Sequence, residues 1–258
     1  MDAAVVHRRR IEPSARSSSA VAALFAYEYE RDAPRVAIPR PEIHLVVRMG
    51  SMARNGLDVH VFGARYTAHR KTIRGGQRSV MARLRLGVHD AVLGSSATNI
   101  AGRIVALEDL WGSAASRRLC DALADARTTI DAAAVLDDAI AERLASTRGR
   151  AVHARLALDA AERLASDNVC AVAERLGVSE RHLRRVFRET VGVSPKTFAK
   201  LSRFHRALSA ARKDAHASWA SIASAAGYYD QAHLIAEFRG IAGVTPRALL
   251  GELRTQSA

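Results

Sequence analysis

A chain of 258 residues exceeds what one hydrophobic core usually serves, so two domains are expected. Apolar residues make up 48% and charged residues 25%, a globular composition that excludes a largely disordered or fibrous chain. Lys and Arg outnumber Asp and Glu by 39 to 26, and the resulting +13, spread over both halves, favours polyanionic partners, nucleic acid foremost, without locating a site.

The N-terminus carries a basic cluster, Arg8-Arg9-Arg10, with no apolar stretch after it long enough for a signal peptide, and no segment approaches the ~20 apolar residues of a membrane span. A cytoplasmic protein without membrane contact is expected. Residues 12–20 are small, polar and aperiodic, so 1–35 reads as a partly flexible leader. From Val36 to Val92 the pattern turns to short runs rich in β-branched residues, Ile43–Val47, Val59–Phe62 and Tyr66–His69, punctuated by Gly50, Asn55-Gly56, Gly63 and Gly75-Gly76. A small antiparallel sheet or barrel follows from that alternation. After Leu93 apolar residues recur at helical spacing through Leu119, Leu123, Ile130, Leu136, Ile140 and Leu144. The helix from Ile130 to Leu144, with its stripe Leu136, Ile140, Leu144 beside Asp137, Asp138 and Glu142, or a neighbouring helix, is expected to take part in the self-association of a homodimer. Thr147–Arg150, with Gly149 as a helix terminator, marks the boundary between an N-terminal domain over 36–149 and a helical domain over 150–258.

The helical domain contains a repeat of about 50 residues. Ala173, Gly177, Leu183, Phe187, Gly192 and Ser194-Pro195 are matched by Ala223, Gly227, Leu234, Phe238, Gly243 and Thr245-Pro246, with one additional residue in the second copy between its glycine and its leucine. Each residue type has a reason at its place. The alanines let two helices cross closely, the glycines end the first helix and turn the chain, and the Leu/Phe pairs four apart seat the second helix on the first. A capping hydroxyl before proline then starts a further helix. Two helix-turn-helix units result. In the first, with Ser179 as N-cap, Arg181, Arg184, Arg185 and Arg188 form one stripe opposite Leu183, Val186 and Phe187, and such a stripe suits a major groove, where Arg pairs bidentately with guanine and reaches phosphates.

The strings Ala173–Phe187, Gly192–Pro195 and Gly227–Arg239 resemble the DNA-binding domain of the AraC/XylS family of transcription regulators over about residues 155–253. The resemblance implies an all-α domain of about seven helices, with a long connector from Pro195 to about Arg212 joining two units that address successive major grooves on double-stranded DNA. By position, Arg181, Arg184 and Arg185 would read bases, with Arg188 nearer the backbone. In the second unit Gln231 and His233 take the reading positions, but Ala236 stands where family members often have arginine, and Glu237 beside it is acidic. The second unit is therefore expected to read few bases and to hold phosphates through Arg239 and the helix N-terminus near Asp230.

Residues 36–112, ending in Leu107–Gly112, resemble the sheet-rich N-terminal domain of some AraC-type regulators, a reduced cupin-like barrel whose implied roles are small-molecule sensing or dimerisation. The overall class is α+β. For an activator, RNA polymerase is a further implied partner. His44, His60, His69 and His89 lack supporting carboxylates at metal-ligand spacing, and Cys120 and Cys170 lack Cys or His neighbours, so neither metal nor cofactor is expected. No catalytic constellation is present at a defensible spacing. An enzyme-regulator fusion of the DNA-repair methyltransferase kind needs reactive cysteines in the N-terminal half, where only Cys120 occurs, and a nonspecific nucleoid-type binder shares the charge without needing base-reading arginines.

Overall fold

The computed structural model describes residues 6–256 except 52, 54–55, 147–150 and 215, and leaves out the side chains of 151–153. The expected boundary at Thr147–Arg150 and the turn residue Asn55 lie outside the described residues. The N-terminal region contains strands β1 (Val6–Ile11), β2 (Val21–Tyr29), β3 (Ala33–Ala37), β4 (His44–Met49), β5 (Leu57–Phe62), β6 (His69–Ile73) and β7 (Arg78–Leu84). Two short helices, α1 (His89–Leu93) and α2 (Ala97–Ile100), precede β8 (Ile104–Ala106). Helices α3 (Glu108–Trp111), α4 (Ser113–Ala124) and α5 (Thr129–Ser146) complete it. Six strands form an antiparallel sheet in the order β1-β2-β7-β4-β5-β8, open at both ends, and β3 pairs with β6 in a separate ribbon.

One face of the sheet is built by alternation: Leu45, Val47 and Met49 on β4 and Val80, Ala82 and Leu84 on β7 turn towards Leu119 and Leu123 of α4 and Leu136 and Ile140 of α5. Each such Leu or Ile, removed wholly from water, contributes about 1.5–3 kcal/mol. Leu136 and Ile140 are thus spent inside the core, and the stripe expected to mediate self-association is not available for it; an association between copies would need another surface.

Within the stretch expected as a partly flexible leader, the described residues 6–35 form β1, β2 and the start of β3. β2 occupies a central position between β1 and β7, and its run Val21-Ala-Ala-Leu-Phe-Ala26 is buried on both faces, which erases the alternation by which strands are recognised. The polar segment before it is pinned as well: the Asp137 carboxylate of α5 accepts from Ser14 N at 2.9 Å and from Ser17 Oγ at 2.5 Å, and Ser17 is fully buried. The run Tyr66–His69 also departs from expectation, for only His69 belongs to a strand.

The four expected non-ligand histidines scatter over β4, β5, β6 and α1, and among the described residues no group of three or more His, Cys, Asp or Glu is placed to hold a metal ion. His44 lies on the sheet face opposite the core, paired across strands with Arg83 and Phe62. Burial, and after it the guanidinium groups of Arg40, Arg83 and Arg65, push its imidazole down to about 3. The folded protein keeps His44 neutral while the unfolded chain protonates it near its ordinary value of 6.5, so stability falls as pH drops below about 6.5, down to about 3. Urea midpoints measured at pH 7 and pH 5 should therefore differ more for the native chain than for His44→Gln. Equal differences would show that His44 takes no part in the acid response.

The C-terminal region is a run of helices: α6 (Ala151–Arg163), α7 (Val169–Arg175), α8 (Glu180–Val191), α9 (Pro195–Lys213), α10 (Trp219–Ala226), α11 (Gln231–Ala242) and α12 (Pro246–Thr255). The described residues thus carry the expected α+β arrangement, a sheet-rich region followed by seven helices. Among these residues no helix is long and apolar enough to cross a membrane.

Candidate nucleic-acid interface

Both helix-turn-helix units are built as their repeated residues require. Gly177 and Gly227 adopt φ of +66° and +84°, the left-handed conformation that ends α7 and α10. The next amides fold back, Val178 N donating to Ala173 O at 3.0 Å and Tyr228 N to Ala223 O at 2.9 Å. Ala173, Leu183 and Phe187 share one core with Phe198, the two rings meeting edge to face at 5.3 Å. Ala223, Leu234 and Phe238 share another with Phe204, at 4.5 Å between ring centroids. Ser194 and Thr245 cap α9 and α12, each with proline at the first helical position. The connector α9 has 19 residues and spans ~28 Å at 1.5 Å per residue.

In the first unit Ser179 caps α8, its hydroxyl accepting from His182 N at 3.2 Å. Leu183, Val186 and Phe187 face inwards with no exposed surface, which turns Arg181, Arg184, Arg185 and Arg188 outwards. The four arginines line an open groove of about 440 Å³ together with Glu189 and with Thr98 from α2. Two of them already have carboxylate neighbours one turn away: Arg184 pairs with Glu180, and Arg185 with Glu189 at 3.2 Å. Exposed pairs of this spacing are worth only about 0.3–0.5 kcal/mol, so either arginine can exchange its partner for a phosphate or a base edge. Replacing Glu189 by Gln should raise affinity for mixed-sequence duplex and steepen the dependence of log K on log salt by up to ~0.9, the increment for one further neutralised phosphate. An unchanged slope in a salt titration would place Glu189 outside the electrostatic footprint.

The second unit is different in charge. Asp230 caps α11, its carboxylate accepting from His233 N at 2.7 Å. Gln231, His233, Ala236 and Arg239 are exposed, with Arg239 in the last turn. Glu237, expected beside the DNA-facing surface, is instead 8% exposed and turned into the core, where it meets Arg203 of α9 at 3.0 Å. Its side chain follows the spacing of Leu234, Phe238 and Ile241 rather than its charge. Next to it, burial and then the Glu237 carboxylate push the Tyr228 hydroxyl well above its ordinary range.

The N-terminal region grips both units. On the first, Ser96 Oγ donates to Glu189 O at 3.1 Å and Thr98 Oγ1 to Arg188 O at 3.2 Å, so two hydroxyls of the α2 turn satisfy carbonyls at the end of α8. Gly192, at φ +84°, lies so close to Ala97 that a Cβ there would stand 3.1 Å from the Ala97 carbonyl oxygen. On the second, the ribbon packs Val36, Ile38 and Ala68 against the core of α9–α12. Ala68 N donates to Ile241 O at 2.8 Å, His205 Nε2 to Pro39 O at 2.7 Å and Arg35 to Gln256 O at 2.7 Å, and Arg70 pairs with Glu252 at 3.0 Å.

Residues 172–252 match the family model described as a helix-turn-helix domain. This segment is an AraC-type helix-turn-helix domain. No curated protein matches the chain in sequence. Among solved structures, ToxT from Vibrio cholerae is 8% identical with a TM-score of 0.46, over 97% of this chain and 99% of that one. A DNA-binding transcriptional dual regulator from Escherichia coli K-12 is 22% identical with a TM-score of 0.33, over 41% of this chain and 93% of that one. The AraC-like transcriptional activator CuxR is 8% identical with a TM-score of 0.27, over 78% and 86%. Three residues at the surface of the AraC-type domain are absent from the sequence candidates: Glu189, Thr98 and Tyr229, of which Glu189 lies one turn beyond Arg185 on α8 itself. Thr98 comes from outside that domain, through a fold contact that no local pattern encodes. Tyr229, 94% exposed in the turn before α11, was marked in the sequence by the one-residue insertion between the two repeats.

Proposed function

We propose that the protein is a cytoplasmic, sequence-specific transcription regulator that binds double-stranded DNA and reads its major groove chiefly with α8. The observation that carries this reading is the set of four outward arginines on the second helix of a helix-turn-helix unit, above a fully buried Leu183, Val186 and Phe187. Guanidinium groups so placed suit bidentate pairing with guanine and contact with phosphates. The second unit, with Gln231 and His233 at the start of α11 and Arg239 at its end, adds fewer base contacts. The N-terminal domain is the regulatory part in this reading, since a small-molecule effector that altered the α2 turn or the β3–β6 ribbon would act directly on the units that hold DNA.

The test is selection of duplexes from a random-sequence library by the full chain, followed by titration of the enriched duplex and a scrambled one at several salt concentrations. A preference for the enriched sequence of ~10³ or more is expected of a specific regulator. A ratio near one at every salt would leave a nonspecific nucleoid-type binder, and no binding at low ionic strength would end the DNA reading.

A further inference from the structure

The two helix-turn-helix units differ at one point of the turn. In the first, Gly177 and Val178 lead straight to the N-cap Ser179; in the second, Gly227 and Tyr228 are followed by Tyr229 before the N-cap Asp230. Val178 and Tyr228 correspond, because both send their amide back to the alanine of the preceding helix, and both pack on their unit's core, Tyr228 buried within it and Val178 partly buried against it. Tyr229 is therefore the inserted residue. It is 94% exposed, where the next most exposed large apolar residue, Ile104, is 56% exposed.

The same end of α11 is poor in groups that attract phosphate. The helix N-terminus is occupied by its own Asp230 carboxylate, which puts a negative charge where a phosphate would otherwise sit. The outward residues Gln231, Ala232, His233 and Ala236 include no permanent cation, and Arg239 stands eight residues beyond Gln231, ~12 Å along the axis. What this end has instead is a long, neutral donor beside the residues that would enter the groove.

We propose that Tyr229 anchors the second unit to the DNA backbone, its hydroxyl donating to a phosphate oxygen and its ring covering the adjoining deoxyribose. Tyrosine hydroxyls are common partners of phosphate, and a neutral donor, unlike a lysine or arginine, is not drawn into an ion pair with the adjacent Asp230 carboxylate. The proposal rests on the DNA-binding reading above, and assigns the inserted residue a sequence-independent contact.

The experiment uses the full chain and the duplex it enriches, with variants of that duplex altered under the second unit. Tyr229→Phe, which removes only the hydroxyl, should weaken binding about 3- to 10-fold, and Tyr229→Ala somewhat more. The loss should be the same factor on every duplex variant. Because the phenol is uncharged, the salt slope should stay unchanged, whereas Arg239→Ala should reduce it by up to ~0.9. Thermal unfolding of both tyrosine variants should match the native chain, as befits an exposed side chain. Binding of Tyr229→Ala within twofold of native, or a loss confined to duplexes that share one base pair, overturns the proposal while leaving the DNA reading intact. A native chain that enriches no duplex overturns both.

Discussion

Arg203→Met should cost about 3–5 kcal/mol of folding stability, the penalty for leaving a buried carboxylate without its counter-charge. Glu237 is 8% exposed and receives Arg203 Nη2 at 3.0 Å, and the same guanidinium lies over the Tyr228 ring at 5.6 Å from its centroid. The Glu237 side chain is only 7% exposed, so little water reaches it to replace the lost partner, and the neighbouring Tyr228 phenol carries no positive charge in either of its protonation states. Against a total of ~5–15 kcal/mol for an ordinary domain, this one change brings the second helix-turn-helix unit near unfolding. The double variant Arg203→Met with Glu237→Met should regain most of the loss, because replacing both members of a buried pair by apolar groups is often nearly neutral. Urea denaturation of the native chain, both single variants and the double variant gives the coupling directly. A single variant within ~1 kcal/mol of native would mean that solvent reaches the pair and that its burial has little energetic weight.

The second large effect is expected on binding. Arg184→Ala and Arg185→Ala should each lower affinity for the enriched duplex by about 1–3 kcal/mol, roughly 5- to 150-fold, if each makes a bidentate contact with a base. Their loss should leave stability almost untouched, since both side chains are more than half exposed and their partners Glu180, Glu189 and His182 lie on the same helix. Arg185→Lys separates the two sources of affinity. Lysine keeps the charge but not the planar fork, so the discrimination against scrambled duplex should fall while the salt slope stays. A loss of equal size on enriched and scrambled duplexes would instead make the arginine stripe a phosphate clamp.

How far the sequence discloses this arrangement depends on whether the determinants are local. The helix-turn-helix units were readable because their logic lies within a few residues: a left-handed glycine, a capping hydroxyl, a proline at the first helical position. The periodicity of Leu234, Phe238 and Ile241 puts Glu237 inside while its charge points to solvent, and the partner that makes its burial tolerable, Arg203, is distant in sequence. β2 is not legible locally because a strand covered on both sides carries no alternation, and the serines before it look loose in sequence because Asp137, which holds them, is some 120 residues away. The docking of Val36 and Ile38 on the helices around Phe238 likewise depends on tertiary partners that an isolated β-branched run does not name.

The ribbon on one unit and the α2 hydroxyls on the other, with the continuous helix α9 between them, tie α8 and α11 to one N-terminal region and oppose a shift of either relative to the other. DNA turns by about 34° for each base pair, one revolution in 10–10.5. Lengthening an operator by five base pairs between its contacted segments would carry the second segment to the far side of the double helix. On the proposed reading a protein clamped in this way could not follow it there, so an operator should keep that interval constant, or change it by whole turns only at the expense of one contact.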